Sequence, residues 1–122
     1  MTQSVHVSGK LRRSLAALED AVERATSSGE RALALYELAL FHDNNSREAE
    51  AVPFYQRAIR TGLPMNLEAQ ALAWLASSLY KIGDPKGAMT QFRRAREIAK
   101  SRDLRRFLDR FEARIDHASR NS

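Results

Sequence analysis

Apolar residues along this chain recur every three or four positions, the spacing that places side chains on one face of an α-helix. No segment shows the two-residue alternation of a half-buried strand. Glycine, proline and small polar residues interrupt the pattern near residues 27–29, 44–46, 62–64, 82–85 and 101. The pattern therefore predicts an all-α protein of about six helices, whose short connections favour antiparallel packing of neighbouring helices.

The interruptions also contain the side chains that begin helices. Five residues are expected to cap helix N-termini through a side-chain oxygen: Ser27, Asn45, Asn66, Asp84 and Ser101. Glu30 and Glu48 follow two of these caps by three residues, which is the spacing of a capping box. Because Pro53 lies within the third helical stretch, we expect either a kinked helix or a helix that begins near Ala51 with the proline in its first turn.

Residues 51–58 and 88–95 repeat each other about 37 residues apart. Each copy is preceded at the same distance by an apolar ladder: Leu35, Leu38 and Ala39 in the first, Leu72, Leu75 and Ala76 in the second. A period of this length is typical of one supersecondary unit used twice, and the units stack because neither buries its apolar face alone. The two copies therefore predict a short helical solenoid.

Each copy contains residues at the spacing of a known repeat family. They are Leu35, Leu38, Ala39, His42, Ala51, Tyr55 and Ala58 in the first copy, and Leu72, Leu75, Ala76, Leu79, Gly83, Ala88, Phe92 and Ala95 in the second. This set resembles the tetratricopeptide repeat (TPR), a helix-turn-helix unit of about 34 residues. Leucine stands where the family usually has tryptophan, and the linker from Gly62 to Met65 is longer than usual. The resemblance implies a right-handed stack of antiparallel hairpins.

The resemblance also implies an organisation and a function. We expect one helical domain over residues 1–122, with an N-terminal helix (10–26), a TPR-like repeat 1 (32–62), a TPR-like repeat 2 (66–100) and a C-terminal capping helix (102–118). Members of the family bind a peptide or helix of a partner protein in a concave groove. The resemblance therefore implies a non-catalytic scaffold or adaptor for protein–protein interaction.

The first helix of each repeat has a second face opposite its core-facing leucines, and in the family this face lines the groove. The predicted partner-binding residues are Leu33, Tyr36, Leu40, Asn44, Gln70, Ala73, Trp74, Ser77, Tyr80 and Lys81. A helix that is apolar on both sides must be covered on both sides or must bind something. Two other interpretations stay open at this point. Either the N-terminal helix covers Leu33, Tyr36 and Leu40 as part of the core, or the stripe pairs with a second copy in a homodimer.

Basic residues are concentrated in the last third of the chain. Residues 86–122 hold eleven Lys or Arg against five Asp or Glu, and the whole chain has a formal net charge of +5. A candidate basic patch on the last two predicted helices comprises Arg93, Arg94, Arg105, Arg106 and Arg110. Because arginine suits phosphate and carboxylate groups, the alternative function is a basic adaptor that binds nucleic acid or an acidic protein. Acidic residues are interspersed and no aromatic residue interleaves the arginines on that face, so a nucleic-acid partner is disfavoured.

The sequence shows no pattern typical of catalysis or cofactor binding. The chain has no cysteine, its three histidines are far apart at positions 6, 42 and 117, and its five glycines form no Gly-rich loop. We therefore expect no enzyme activity, no metal and no cofactor, and we expect His42 to be a hydrogen-bonded residue at a helix end. No apolar run approaches the roughly 20 residues of a membrane span. Residues 1–10 lack the apolar core of a secretory signal, so we expect no membrane partner and a cytoplasmic location.

Overall fold

The computed structural model describes residues 14–120. Residues 14–24 are helical and are called α1, and five helices follow: α2 (Ser28–Asn44), α3 (Glu48–Thr61), α4 (Met65–Lys81), α5 (Pro85–Ile98) and α6 (Arg102–Arg120). No residue of the described range lies in a strand, which confirms the all-α prediction. Positions 10–13 of the predicted N-terminal helix lie outside the described residues.

The helices pack as two hairpins followed by a further helix. α2 packs mainly against α3, and α4 packs mainly against α5. The two hairpins meet through α3 and α4, while α6 packs against both α4 and α5. This sequential stacking, in which each unit contacts its neighbour in the chain, is the arrangement of a helical repeat solenoid.

Equivalent residues of the two hairpins form the core. Tyr55 of α3 and Phe92 of α5 occupy the same position in their repeats, and both are buried almost completely. They are surrounded by small residues that let the helices approach closely, namely Ala39, Ala51, Ala58, Ala76, Ala88 and Ala95. Replacing a ring of this kind by alanine typically costs about 3–5 kcal/mol, because the cavity does not close. The repeated pattern in the sequence is therefore the packing pattern of the core.

Three of the five predicted N-caps are confirmed. The Ser27 hydroxyl accepts a 3.1 Å hydrogen bond from the backbone N–H of Glu30, and the Asp84 carboxylate accepts one of 3.0 Å from that of Gly87. The Ser101 hydroxyl accepts a 3.3 Å bond from the N–H of Leu104. Each bond satisfies one of the backbone donors that the first turn of a helix leaves free.

The other two cap predictions are wrong. Asn45 belongs to the end of α2, where its amide donates a 2.7 Å hydrogen bond to the carbonyl of Phe41. The chain then turns through Ser46, which has a φ of 59°, and α3 begins after Arg47 without a side-chain cap. Asn66 is already inside α4, whose N-cap position is taken by Pro64. In both turns the N-cap position lies two residues away from the asparagine.

Pro53 lies inside α3. Because this helix begins at Glu48 and not near Ala51, the proline falls in its second turn rather than its first. Its ring removes the N–H that would bond to the carbonyl of Ala49. Both Pro53 and Ala49 are exposed, so water can reach this part of the helix. An exposed position is where the loss of one helical hydrogen bond costs least.

The described part of α1 lies beside α2 and α3. Val22 packs against the core, and it borders a surface depression together with Leu38 and Phe54. Leu38 is on the core-facing side of α2, away from the face that carries Leu33 and Leu40. Leu33 remains 41% exposed. Within residues 14–120, therefore, α1 approaches the hairpin from the side opposite the predicted groove.

Candidate partner-binding groove

A cleft runs between α2, α4 and α6. Its volume is ≈ 390 Å³, and it is lined by Leu40, Asp43, Asn44, Trp74, Ser77, Lys81 and Phe107. We call this set the groove. Helix periodicity explains the α4 side, because Trp74, Ser77 and Lys81 are three and four residues apart and share one face. Five of the ten residues predicted for partner binding thus lie together, and Asp43 and Phe107 join them.

Phe107 and Asp43 are the two groove residues that the sequence did not reveal, and Phe107 is the aromatic one. Its ring meets Trp74 edge-on at a centroid distance of 4.8 Å and stacks on Phe111 at 6.0 Å. Phe111 in turn packs edge-on against Tyr80 at 5.9 Å. Such ring pairs contribute about 0.5–1.5 kcal/mol each beyond the area that they bury. α6 is therefore held across α4 by aromatic contacts, and one edge of its apolar stripe becomes a wall of the groove.

The other predicted groove residues lie beneath the surface or beside the cleft. Tyr36 is only 5% exposed, and its hydroxyl donates a 3.0 Å hydrogen bond to Oε1 of Gln70. Burial raises the pKa of Tyr36 to about 12. Ala73 is completely buried, whereas Tyr80 is half-buried behind Phe111 and Leu33 is exposed. Tyr36 and Gln70 thus join α2 to α4 through a hydrogen bond, and Ala73 belongs to the core.

Two polar contacts lie at the end of the groove. The Tyr55 hydroxyl reaches from the core and donates a 2.6 Å hydrogen bond to Oδ2 of Asp43. Burial and the Asp43 carboxylate both raise the pKa of Tyr55 above its ordinary value. Lys81 lies 3.9 Å from the Glu48 carboxylate, and its side chain is half exposed. A contact of this length is weak when the lysine is half exposed, so Glu48 only partly engages the Lys81 ammonium.

The five residues of the predicted basic patch do not all lie on one surface. Arg94 bonds to Gln91 and borders a depression between α3 and α5. Nε of Arg105 donates a 2.9 Å hydrogen bond to the carbonyl of Ala99 and lies beside α5. The remaining three, Arg93, Arg106 and Arg110, are exposed. Two of the five arginines are therefore already engaged within the fold.

His42 is buried between aromatic rings. It stacks on Phe54 with ring centroids 5.5 Å apart and meets Phe41 edge-on at the same distance. Its Nδ1 atom has no hydrogen-bond partner among the described residues, so the expected side-chain hydrogen bond is not what holds this ring. Burial lowers the pKa of His42, and the nearby Arg47 lowers it further. The side chain is thus a neutral packing element of the first hairpin.

Between residues 14 and 120, no three His, Asp or Glu side chains come close enough to hold a metal ion. The helices in this range are either too short or too polar to cross a membrane. His6 lies outside the described residues.

The geometry defines a class of protein: stacked helical hairpins whose first helices line an open groove. The family model described as "Tetratrico peptide repeat" matches residues 32–119. The chain therefore belongs to the tetratricopeptide repeat family, whose members generally act as non-catalytic modules for protein–protein interaction. The match begins within α2 and extends through most of α6, so it includes the third wall of the groove as well as both repeats. No curated protein matches the chain.

Proposed function

We propose that this chain is a non-catalytic scaffold or adaptor that holds a peptide segment or helix of a partner protein in the groove. The observation that carries the proposal is the group formed by Leu40, Trp74 and Phe107, in which one apolar side chain from each of three helices faces the same cleft. All three are half-buried, so each keeps surface for a ligand. Large side chains in a partly desolvated pocket dominate the free energy of most protein interfaces.

The alternative function, binding of nucleic acid or an acidic protein through α5 and α6, has weaker support. Arg96 already pairs with Asp109 at 2.8 Å, and Arg105 is bonded to a backbone carbonyl. Arg94 faces the seam between α3 and α5, away from the groove. A continuous basic surface is what a phosphate backbone would require. The distribution of these arginines favours the groove over such a surface.

Selection of random peptides on the immobilised protein tests the proposal without knowledge of the partner. We expect the selected peptides to bind the wild type and to lose about 30-fold in affinity with Trp74→Ala, since a central aromatic side chain contributes about 2 kcal/mol or more. The matched control is Phe54→Ala, because Phe54 is also half-buried but lies on the side of α1. This variant should keep the affinity of the wild type.

A second variant separates binding from folding. Asn44 is exposed at the groove, so Asn44→Arg should obstruct the cleft without removing any core contact. Circular dichroism and urea unfolding would show whether each variant keeps the helicity and stability of the wild type. If the folded Trp74→Ala and Asn44→Arg proteins both bind the selected peptides as tightly as the wild type, the groove is not the binding site.

A further inference from the structure

α6 has one edge that faces α5 and another that borders the groove. The charged side chains on these two edges differ in whether they are paired within the fold. On the edge that faces α5, Nη1 of Arg96 lies 2.8 Å from the Asp109 carboxylate and 3.3 Å from that of Glu112. On the same edge, Arg105 donates to the carbonyl of Ala99. Positive and negative groups are therefore matched within the fold along this edge.

The opposite edge of α6 borders the groove. With a rotation of about 100° per residue, Phe107 lies on one side of the buried Leu108 and Asp109 lies on the other. Arg110 and Arg114 follow Phe107 by three and seven residues, which places them on its side of the helix. Both are exposed, and within residues 14–120 neither side chain forms a hydrogen bond or an ion pair.

Charged groups of both signs border the groove. Lys81 lines the groove from α4, and its ammonium group lies 3.9 Å from the Glu48 carboxylate. Two carboxylates lie on the same side: Asp43, which accepts the hydrogen bond from Tyr55, and Asp103 in the first turn of α6. A carboxylate in the first turn is favourably placed with respect to the helix dipole. Around Arg110, towards the C-terminal end of this edge, α6 itself carries no carboxylate.

We propose that the segment held in the groove is acidic, with an apolar side chain between Leu40, Trp74 and Phe107 and with carboxylates facing Lys81, Arg110 and Arg114; this proposal rests on the groove function proposed above. Arginine guanidinium groups bind carboxylates through two parallel hydrogen bonds, which would fix the direction of the bound segment. The charges lie at the rim and accelerate and orient binding, while the apolar contacts at the centre supply most of the affinity.

The same library of random peptides provides the test, and the quantity compared is the amino-acid composition of the selected peptides. Peptides selected on the wild type should combine an aromatic or aliphatic residue with several Asp or Glu residues. Their affinity should fall between about 0.1 M and about 1 M salt, since the screening length shrinks from about 10 Å to about 3 Å. The Arg110→Glu/Arg114→Glu variant should bind them about tenfold more weakly, because attraction at the rim is replaced by repulsion.

The control is Arg93→Glu/Arg94→Glu, which changes the charge of the chain by the same amount on α5. It should bind the selected peptides as the wild type does. A neutral variant, Arg110→Gln/Arg114→Gln, should lose part of the affinity, and it serves as the test if the glutamate variant has lost helicity.

The outcomes separate this proposal from the groove function. If the peptides require Trp74 but are not acidic and bind the Arg110→Glu/Arg114→Glu variant normally, the charge proposal is overturned and the groove function stands. If the peptides do not require Trp74, the groove function itself fails. If a single-stranded RNA oligonucleotide binds more tightly than any peptide and both charge-reversal variants lose it, nucleic acid replaces the acidic segment as the ligand.

Discussion

Removal of one hydroxyl group from the core should loosen one end of the groove. Tyr55 is completely buried, and its hydroxyl donates a 2.6 Å hydrogen bond to Asp43 on the neighbouring helix. The substitution Tyr55→Phe keeps the ring and its tilted contact with Tyr36, whose centroid is 6.1 Å away. The substitution removes the Tyr55 hydroxyl, which joins α3 to the Asp43 carboxylate at the groove.

The magnitude follows from the burial of the two partners. A hydrogen bond to a charged group contributes about 1.5–3 kcal/mol to stability. Asp43 is half-buried, so water can partly replace the lost donor and the lower end of this range applies. We expect Tyr55→Phe to lower the free energy of unfolding by about 1.5 kcal/mol and the melting temperature by about 6 °C in a domain of this size.

Urea unfolding, followed by circular dichroism, measures this effect, and a double-mutant cycle with Asp43→Ala isolates the pair. In the Asp43→Ala background, Tyr55→Phe should cost little, which gives a coupling free energy of about 1 kcal/mol or more. The slope of the unfolding free energy with urea should stay unchanged. A loss below about 0.5 kcal/mol, or an equal loss in both backgrounds, would refute the view that this hydrogen bond stabilises the hairpin.

Two other local features have measurable consequences. Asp84→Ala removes the cap of α5 and should cost about 1 kcal/mol in urea unfolding. Gly87→Ala should stabilise α5 by up to about 1 kcal/mol, but only in the Asp84→Ala background, because in the wild type the added Cβ would overlap the Asp84 carboxylate. An equal gain in the wild type would contradict this steric explanation. The pKa of His42 in the folded protein lies below its ordinary value of 6.5, so the unfolded chain binds the proton first as the pH falls. The contribution of neutral His42 to the free energy of unfolding is therefore present above pH 6.5 and is lost as the pH falls through the folded-state pKa. His42→Phe should remove that part of the pH dependence, and an identical profile for wild type and variant would show that folding does not lower the pKa of His42.

The fold could be predicted because it depends mainly on local signals that recur. The ladder of Leu35 and Leu38 and its copy at Leu72 and Leu75 has the period of a helix, and the structure buries all four side chains. The cap at Asp84 was identifiable because the proline that follows it is favoured at the first position of a helix. Asn45 shows the limit of such signals. Its spacing to Glu48 fits a capping box, but the turn conformation at Ser46 directs the asparagine to the preceding helix.

The groove could be predicted only where it depends on the repeats. Leu40, Trp74 and Lys81 followed from the helical projection of α2 and α4. Phe107 did not, because its helical spacing marks it as one member of the apolar stripe of α6 and not as the member at the edge. Which edge of a stripe faces a cleft depends on how the helix docks, and docking is set by contacts distant in sequence, here with Trp74. The periodicity of a single helix contains no information about the angle at which that helix docks on its neighbours.

α6 links the stability of the solenoid to the shape of its groove. Phe111 is buried against Phe92 of the second hairpin, whereas Phe107, one turn earlier, forms a wall of the groove. The two rings stack on each other, so the position of the groove wall depends on whether α6 is docked on the core. A ligand that contacts Phe107 must then favour the docked state of α6, and by linkage a better-docked α6 must bind that ligand more tightly. Two repeats alone would supply only two walls of the candidate groove. α6 supplies the third wall, and it also covers the end of the core.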